Sequence, residues 1–373
     1  MRATEPASDP VAVLLAAAAS GSSAWPDLYP GRRAFGYFCS YWPEELVLSL
    51  GWEPLRILPI AKRAVPGRLP AYCCFPARSC LAAAEAGEYD FLIGAGFTHT
   101  CDTMQSLAGI WHHRDTFQLV PPVTLQGPGA DAYCTVEMRN LWHRLAARAG
   151  READPRELRK AISLMNRVRS LALRLDEMRP GLPSSLVAAV LRAGQLMPRA
   201  VFAAALEAAW PELEAGVDDG EGRHRLLISG SVLEEDGLYT MVEELGARVV
   251  ADDTCSGYRS FDGLVDEEKE PVAALVRRLS VRASCPCRHS SLNARPDYLS
   301  ELARLRGARA AVLVMRKYCD PHAWDATIVS EKLRSSGVSV LILELETGTA
   351  GAQEKVRLEA FLECLSDLDQ EGQ

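Results

Sequence analysis

The stretch AVLVMRKYCDPHAWD, residues 311–325, raises the questions of fold and function together. Its unbroken apolar start reads as a buried strand. The strand then delivers Cys319 and Asp320 at its tip, followed by Pro321. A second stretch, DFLIGAGFTHTCDTM at 90–104, repeats the pattern and ends its apolar run in Cys101-Asp102. Core packing does not require a thiol and a carboxyl at the end of a strand. Two strand tips carrying the same dipeptide point to a site.

Around each stretch, strand-like and helix-like segments alternate. In the first third, strands are predicted at 34–39, 55–60, 90–96 and 116–123, with helices at 43–51, 77–87 and about 102–111. From Arg225 onward, strands are predicted at 225–232, 247–253, 308–316 and 338–346. Helices at 237–246, 270–282, about 323–335 and about 353–366 lie between and after them. This rhythm is that of parallel sheets with crossover helices. The middle, roughly 131–217, lacks strand signals and is rich in Ala, Leu and Arg at helical spacing. Asp154-Pro155 with Glu157 marks a helix start there, and PGLPSS at 180–185 separates two helical stretches. The expected fold is α/β, with two Rossmann-like parallel-sheet units joined by a helical segment. The expected boundaries are 1–130, 131–222 and 223–373.

With 373 residues, 48% of them apolar, the chain can bury two or three cores. A net charge of −8 argues against a broad nucleic-acid surface. No apolar run reaches the length of a membrane span. VAVLLAAAAS at 11–20 lacks a basic leader and reads as a short helix rather than a secretion signal. Eleven cysteines, an odd number, do not read as a secreted disulfide scaffold. Reduced thiols fit better, some of them metal ligands and others small buried hydrophobes. Cys134 and Cys364 lie in helical patterns and belong with the second kind.

In an open parallel sheet, ligands bind beyond the carboxyl ends of the strands. Cys39 follows a first strand, Cys255 and Cys74 follow second strands, and Cys101 and Cys319 follow third strands. Several thiols therefore converge if two sets of strand tips face each other. Zinc sites usually show a close C-x-x-C pair, and none occurs here. Cys285 and Cys287 make only C-x-C, and Cys73 and Cys74 are adjacent. An iron–sulfur cluster takes thiolates from distant loops. Helix N-termini, where Cys101 and Cys319 should sit, favour a thiolate and a negatively charged cluster.

Six stretches in order carry a resemblance: GYFCSYWPEELVLSLGWEPLRILP, CCFPARSC, HTCDTMQSL, GARVVADDTCSGYRSF, RKYCDPHAWD and VRLEAFLE. Together, from about Gly36 to Glu363, they resemble the 2-hydroxyacyl-CoA dehydratase family, which includes the subunits of ATP-dependent benzoyl-CoA reductase. The resemblance implies a cytoplasmic, oxygen-sensitive protein with one [4Fe–4S] cluster held by three cysteines. The positions that match are Cys74, followed by Arg78-Ser79, then Cys101, and Cys319, preceded by Lys317. Cys73 is the alternative to Cys74, and Cys255 is a possible additional ligand. Cys39 and Cys80 enter if the cluster is the double-cubane kind.

The resemblance also implies the chemistry. A low-potential electron is placed on the thioester of an acyl-CoA, for radical syn-elimination of water or for ring reduction. The iron without a protein ligand takes water or the thioester oxygen and acts as a Lewis acid. The electron comes from a separate ATP-hydrolysing activator protein, and this chain shows no phosphate-loop pattern of its own. A related sister subunit is implied as partner, with a homodimer as the other arrangement. Glu45 matches a functional glutamate in the PEEL stretch, whereas Glu44 is expected to be a solvated acid at a helix start. His99, His112, His113 and His322 read as surface or core residues rather than ligands. Arg259 and Arg316 read as salt-bridge partners rather than CoA-phosphate contacts, and Trp42 and Trp324 as packing residues. A non-catalytic electron-relay or assembly subunit stays open beside the enzyme reading, as does a cluster-free paralogue.

Overall fold

Both alternating ends of the chain close into four-stranded sheets in the computed structural model, which describes residues 9–60, 67–111, 115–220, 222–288 and 291–371. The first sheet holds β1 (Ala34–Tyr37), β2 (Glu53–Arg56), β3 (Gly94–Thr98) and β4 (Asp115–Leu119), in the order β2-β1-β3-β4. The second holds β5 (His224–Gly230), β6 (Ala247–Thr254), β7 (Ala310–Arg316) and β8 (Ser339–Leu345), in the order β6-β5-β7-β8. Every pairing is parallel. The topology is the same twice over. Strand order reverses between the first and third strand of each sheet, and ligands bind beyond that point in open α/β sheets.

Burial on both faces explains the uninterrupted apolar runs. All five positions of β3 and all eight of β6 are buried. The polar end of β6 is accommodated by arginines. The Asp253 carboxylate accepts from Arg295 at 2.5 Å and from Ser229 Oγ at 2.7 Å, and Asp252 accepts from the Tyr239 hydroxyl at 2.9 Å. Close packing also fixes a glycine. Gly96 lies under the Trp42 indole, and a Cβ at that position would fall 2.4 Å from the ring.

Four long helices join the sheets: Ala130–Ala149, Pro155–Met178, Ser184–Leu196 and Arg199–Ala215. Gly150, at φ 63°, closes the first in a left-handed turn, and the Asp154 side chain caps the second by accepting from Arg156 N–H at 2.9 Å. The helix Pro10–Ser20, first in sequence, belongs spatially to this group. Its Val11, Leu14, Ala17 and Ala18 share one apolar core with Val187, Val190 and Phe202.

The structure departs from the predicted elements in several places. β2 runs over Glu53–Arg56 rather than 55–60. β3 starts at Gly94 rather than Asp90, because Asp90 and Leu92 N–H groups bond back to Gly87 and Tyr89 in turns. A helix at Ala294–Arg306, closed by left-handed Gly307, fills a region for which no element is predicted. Its charged, weakly periodic sequence, with Pro296 in the first turn, hides it. Among the described residues no helix is long and apolar enough to cross a membrane.

Candidate functional site

Three of the loops that leave the strand tips end in a cysteine at a helix start. Cys74 is the N-cap of Phe75–Glu85, Cys101 of Asp102–Ile110 and Cys319 of Asp320–Ser335. The last turn is tight: Tyr318 has a left-handed φ of 66°, and Cys319 N–H bonds back to Arg316 O at 3.0 Å. All three cysteines line one cavity of about 590 Å³ between the two α/β units. Cys73 does not reach it. That neighbour packs into the core with Leu69 and Ala77, as does Cys80.

Burial favours the neutral thiol at all three cysteines. Burial pushes Cys74 up to about 11 and Cys319 up to about 12, and it raises Cys101 as well. First-turn backbone N–H groups, at Ala77, at Met104 and Thr103, and at His322, pull the other way, although none closes a capping hydrogen bond. Charge repulsion adds to this: Cys101 raises Cys74, and Cys74 and Cys101 both raise Cys319. Ionising them together therefore requires a positively charged centre, and thiolate ligation to metal supplies one. Among the described residues no three His, Cys, Asp or Glu side chains stand close enough to hold a single metal ion. The thiolates of a multinuclear cluster bind different irons and stand farther apart. Cysteines brought from three separate loops are the kind of donor a cluster would take.

A fourth cysteine, Cys287, lines the same cavity. It is the second cysteine of the C-x-C pair whose spacing argues against a zinc site. Its partner Cys285 is not among the lining residues. Cys285 belongs to an inner group with Cys39 and Cys255, close enough for their charges to interact. The Cys287 thiol and the charge of Arg259 hold Cys285 below the usual thiol range, while Cys287 is held above it.

Cys255 stays in the inner group, not on the cavity. Arg56 at the end of β2 reaches across the units and donates to its sulfur at 2.8 Å and to its carbonyl at 2.6 Å. Burial opposes ionisation of Cys255, but Arg56 and Arg259 outweigh it and lower its pKa.

Glu45 is not among the cavity's lining residues. It is buried, and Arg169 donates to its carboxylate. Burial alone would raise its pKa, but Arg169 and Arg278 together hold it below the usual carboxylate value. Glu44, expected to be solvated, instead pairs with buried Arg199 at 2.6 Å, because the helix Glu44–Leu48 starts against the helical segment rather than in water. Arg259 and Arg316 are buried ion-pair partners of Asp253 and Glu234, as expected. His322 is buried, and His112 and His113 lie outside the described residues. Trp42 packs in the core, but Trp324 does not: it is 80% exposed at the cavity mouth.

The sequence matches the family described as 2-hydroxyglutaryl-CoA dehydratase, D-component, over residues 39–365. It is 24% identical over 348 residues to lactoyl-CoA dehydratase subunit beta of Anaerotignum propionicum, covering 90% of this chain and 92% of that one. It is 24% identical over 358 residues to one of the subunits of benzoyl-CoA reductase from Thauera aromatica, covering 90% and 91%. It is 25% identical over 359 residues to (R)-2-hydroxyglutaryl-CoA dehydratase subunit beta of Acidaminococcus fermentans, covering 90% and 93%.

Proposed function

The chain belongs to the 2-hydroxyglutaryl-CoA dehydratase D-component family, and from that premise we propose that it is the iron–sulfur subunit of an acyl-CoA dehydratase or reductase. The observation that carries this reading is the meeting of Cys74, Cys101 and Cys319 on one cavity between the two units. These three residues would hold a [4Fe–4S] cluster. When bound, the cluster supplies one low-potential electron for the acyl-CoA chemistry of the complex. The chain's own part is to anchor the thiolates at three helix starts and to set their field. Arg316, buried behind them, adds a positive charge that favours ionised Cys74.

A sister subunit and an ATP-hydrolysing electron donor complete the proposal. The relatives are themselves subunits by name. The cavity mouth also supports a covering partner. Trp324, Leu292 and Val123 surround it and are 80%, 70% and 66% exposed. Exposed apolar groups gathered at one cavity mouth are of the kind found at interaction surfaces. The direct test is anaerobic purification. The chain should contain about four irons and four sulfides, and Cys101→Ala or Cys319→Ala should lose them. Full iron content in both variants would refute the cluster assignment.

A further inference from the structure

We propose that Glu234 is a proton site coupled to the cluster: a proton that enters through a second cavity settles on its unpartnered oxygen and leaves the Arg316 charge uncompensated behind Cys74 and Cys319. The inference rests on the cluster reading above and deepens it. Glu234 and Arg316 form an ion pair in which each side chain is only 1% exposed. Arg316 donates to Oε2 of the carboxylate. The other oxygen, Oε1, is buried and has no hydrogen-bond partner among the described residues. A buried carboxylate with an unserved oxygen is costly, and such a group takes a proton more readily than one in water.

Glu234 stands where a proton reaches it without crossing the cluster cavity. It lines a second cavity of about 510 Å³. That cavity shares no lining residue with the one that carries the three cysteines, and it reaches the surface at exposed Ala19 and Ser23. The balance of groups around Glu234 favours the proton near neutrality. Burial, the largest influence, pushes its carboxyl up to about 7, while Arg316 pulls it down and Glu235 in the same loop raises it again. Arg192, on the helix Ser184–Leu196, lines the cavity too, but its charge is compensated by Asp236 at 2.7 Å. Cys80, on the helix Phe75–Glu85, feels the Glu234 charge, and burial keeps it a neutral thiol. Glu88 and Tyr89, from the segment before β3, complete the titratable part of the wall, and the Tyr89 hydroxyl donates to Leu58 O at 3.2 Å.

Arg316 carries the effect to the cysteines. It ends β7, just before the turn that presents Cys319. Its charge favours ionised Cys74, and the charges of Cys74 and Cys319 act on it in return. Three backbone carbonyls hold it independently of Glu234: Thr347 O at 2.6 Å, Val232 O at 2.9 Å and Gly348 O at 3.3 Å. Protonation of Glu234 therefore turns a neutral pair into a net positive one without releasing the guanidinium. A fixed positive charge favours the more negative state of the group it faces. One electron from the donor protein and one proton from solvent thus arrive together, the electron at the cluster and the proton on Oε1, with no other bond made or broken. By linkage, the midpoint potential rises as pH falls through the Glu234 titration.

The experiment reads potential and protonation and needs no turnover. The wild-type chain, Glu234→Gln and Glu235→Gln are reconstituted with iron and sulfide under argon, and iron is counted. Midpoint potentials are measured by dithionite titration, followed by electron paramagnetic resonance, at several pH values on both sides of neutrality. Infrared difference spectra of the same samples follow the C=O stretch of a protonated carboxyl. In the wild type and Glu235→Gln the reduction equilibrium should move with pH by up to about tenfold per unit, the limit for one proton per electron. The carboxyl band should appear over the same range. Glu234→Gln, a neutral mimic of the protonated acid, should lack the band and hold the wild type's acid-side potential at every pH. A wild-type cluster whose potential is flat across neutrality overturns the inference and leaves the cluster reading intact. That arm decides even if Glu234→Gln fails to fold. A pH dependence that survives in Glu234→Gln overturns it as well. A wild type that takes up no iron overturns the cluster reading itself, and the coupling with it.

Discussion

At the scale of single residues, Glu45 and Arg169 form an ion pair out of reach of water. Removing one partner leaves the other charge buried and uncompensated. Glu45→Gln should cost about 3 kcal/mol of folding stability, read as a lower urea midpoint. A general acid or base would give the opposite split, with unchanged stability and turnover lower by about a hundredfold or more. His322 offers a pH test. Burial, then Arg259 and Arg295, hold its pKa well below 6.5, so the folded protein keeps it neutral. The unfolded chain takes up a proton there below about pH 6.5. Its contribution to stability is therefore complete above that pH and is lost as pH falls, by at most about 1.4 kcal/mol per unit. His322→Gln should lose less stability than the wild type between pH 7.5 and 5.5, and equal losses would refute the assignment. The sequence shows part of this chemistry. Cys101 and Cys319 can be placed at a site because a strand tip and a helix start are local signals. The Glu45–Arg169 pair cannot be read, because its partners are 124 residues apart. Cys287 is visible as C-x-C, but that spacing speaks only against a single zinc ion. Only the fold shows that it lines the cavity.

Secondary-structure elements explain why most of the fold is legible. Strands buried on both faces leave continuous apolar runs, and helices between them leave a 3.6-residue period. Both signals are local and survive in the sequence. The helix Ala294–Arg306 escapes because five of its thirteen residues are charged, only four are buried, and it presents no apolar stripe. Sheet order also escapes, since the pairing of β1 with β3 depends on crossover direction rather than on either strand alone. Packing sets one element's composition outright. Strand β3 needs Gly96, because the Trp42 indole occupies the volume a side chain would take. Gly96→Ala should destabilise the first unit by about 1–3 kcal/mol, the usual cost of overpacking. Combining it with Trp42→Phe, which opens space, should recover part of the loss. Independent, additive losses would place the strain elsewhere.

Over the whole molecule, the two units and the helical segment are joined by buried arginines. Arg56 reaches from β2 to Gln195 Oε1 at 2.5 Å, Ser260 Oγ at 2.7 Å and the carbonyl of Cys255 at 2.6 Å. It thus holds all three parts in register around the cavity. Arg56→Met keeps the apolar stem but removes the charged donor, leaving Ser260 Oγ to serve Gln195 Oε1 and Cys255 O alone, and should cost on the order of 3 kcal/mol. The units would loosen first where they meet, so cluster retention should fall before global unfolding begins. The outward face of the same cavity carries the remaining prediction. Trp324 and Leu292 are large, apolar and exposed; Trp324 sits on the helix that starts at Cys319, and Leu292 on the turn before the helix Ala294–Arg306. Exposed anchors of this kind dominate protein interfaces, with single truncations costing about 2 kcal/mol or more. If they seat the sister subunit over the cluster, Trp324→Asp should weaken the complex at least tenfold in analytical ultracentrifugation. Iron content and the urea midpoint of the isolated chain should stay unchanged, because neither side chain supports the core. A complex of unaltered affinity would move the interface to another face and leave the cavity mouth open to small molecules.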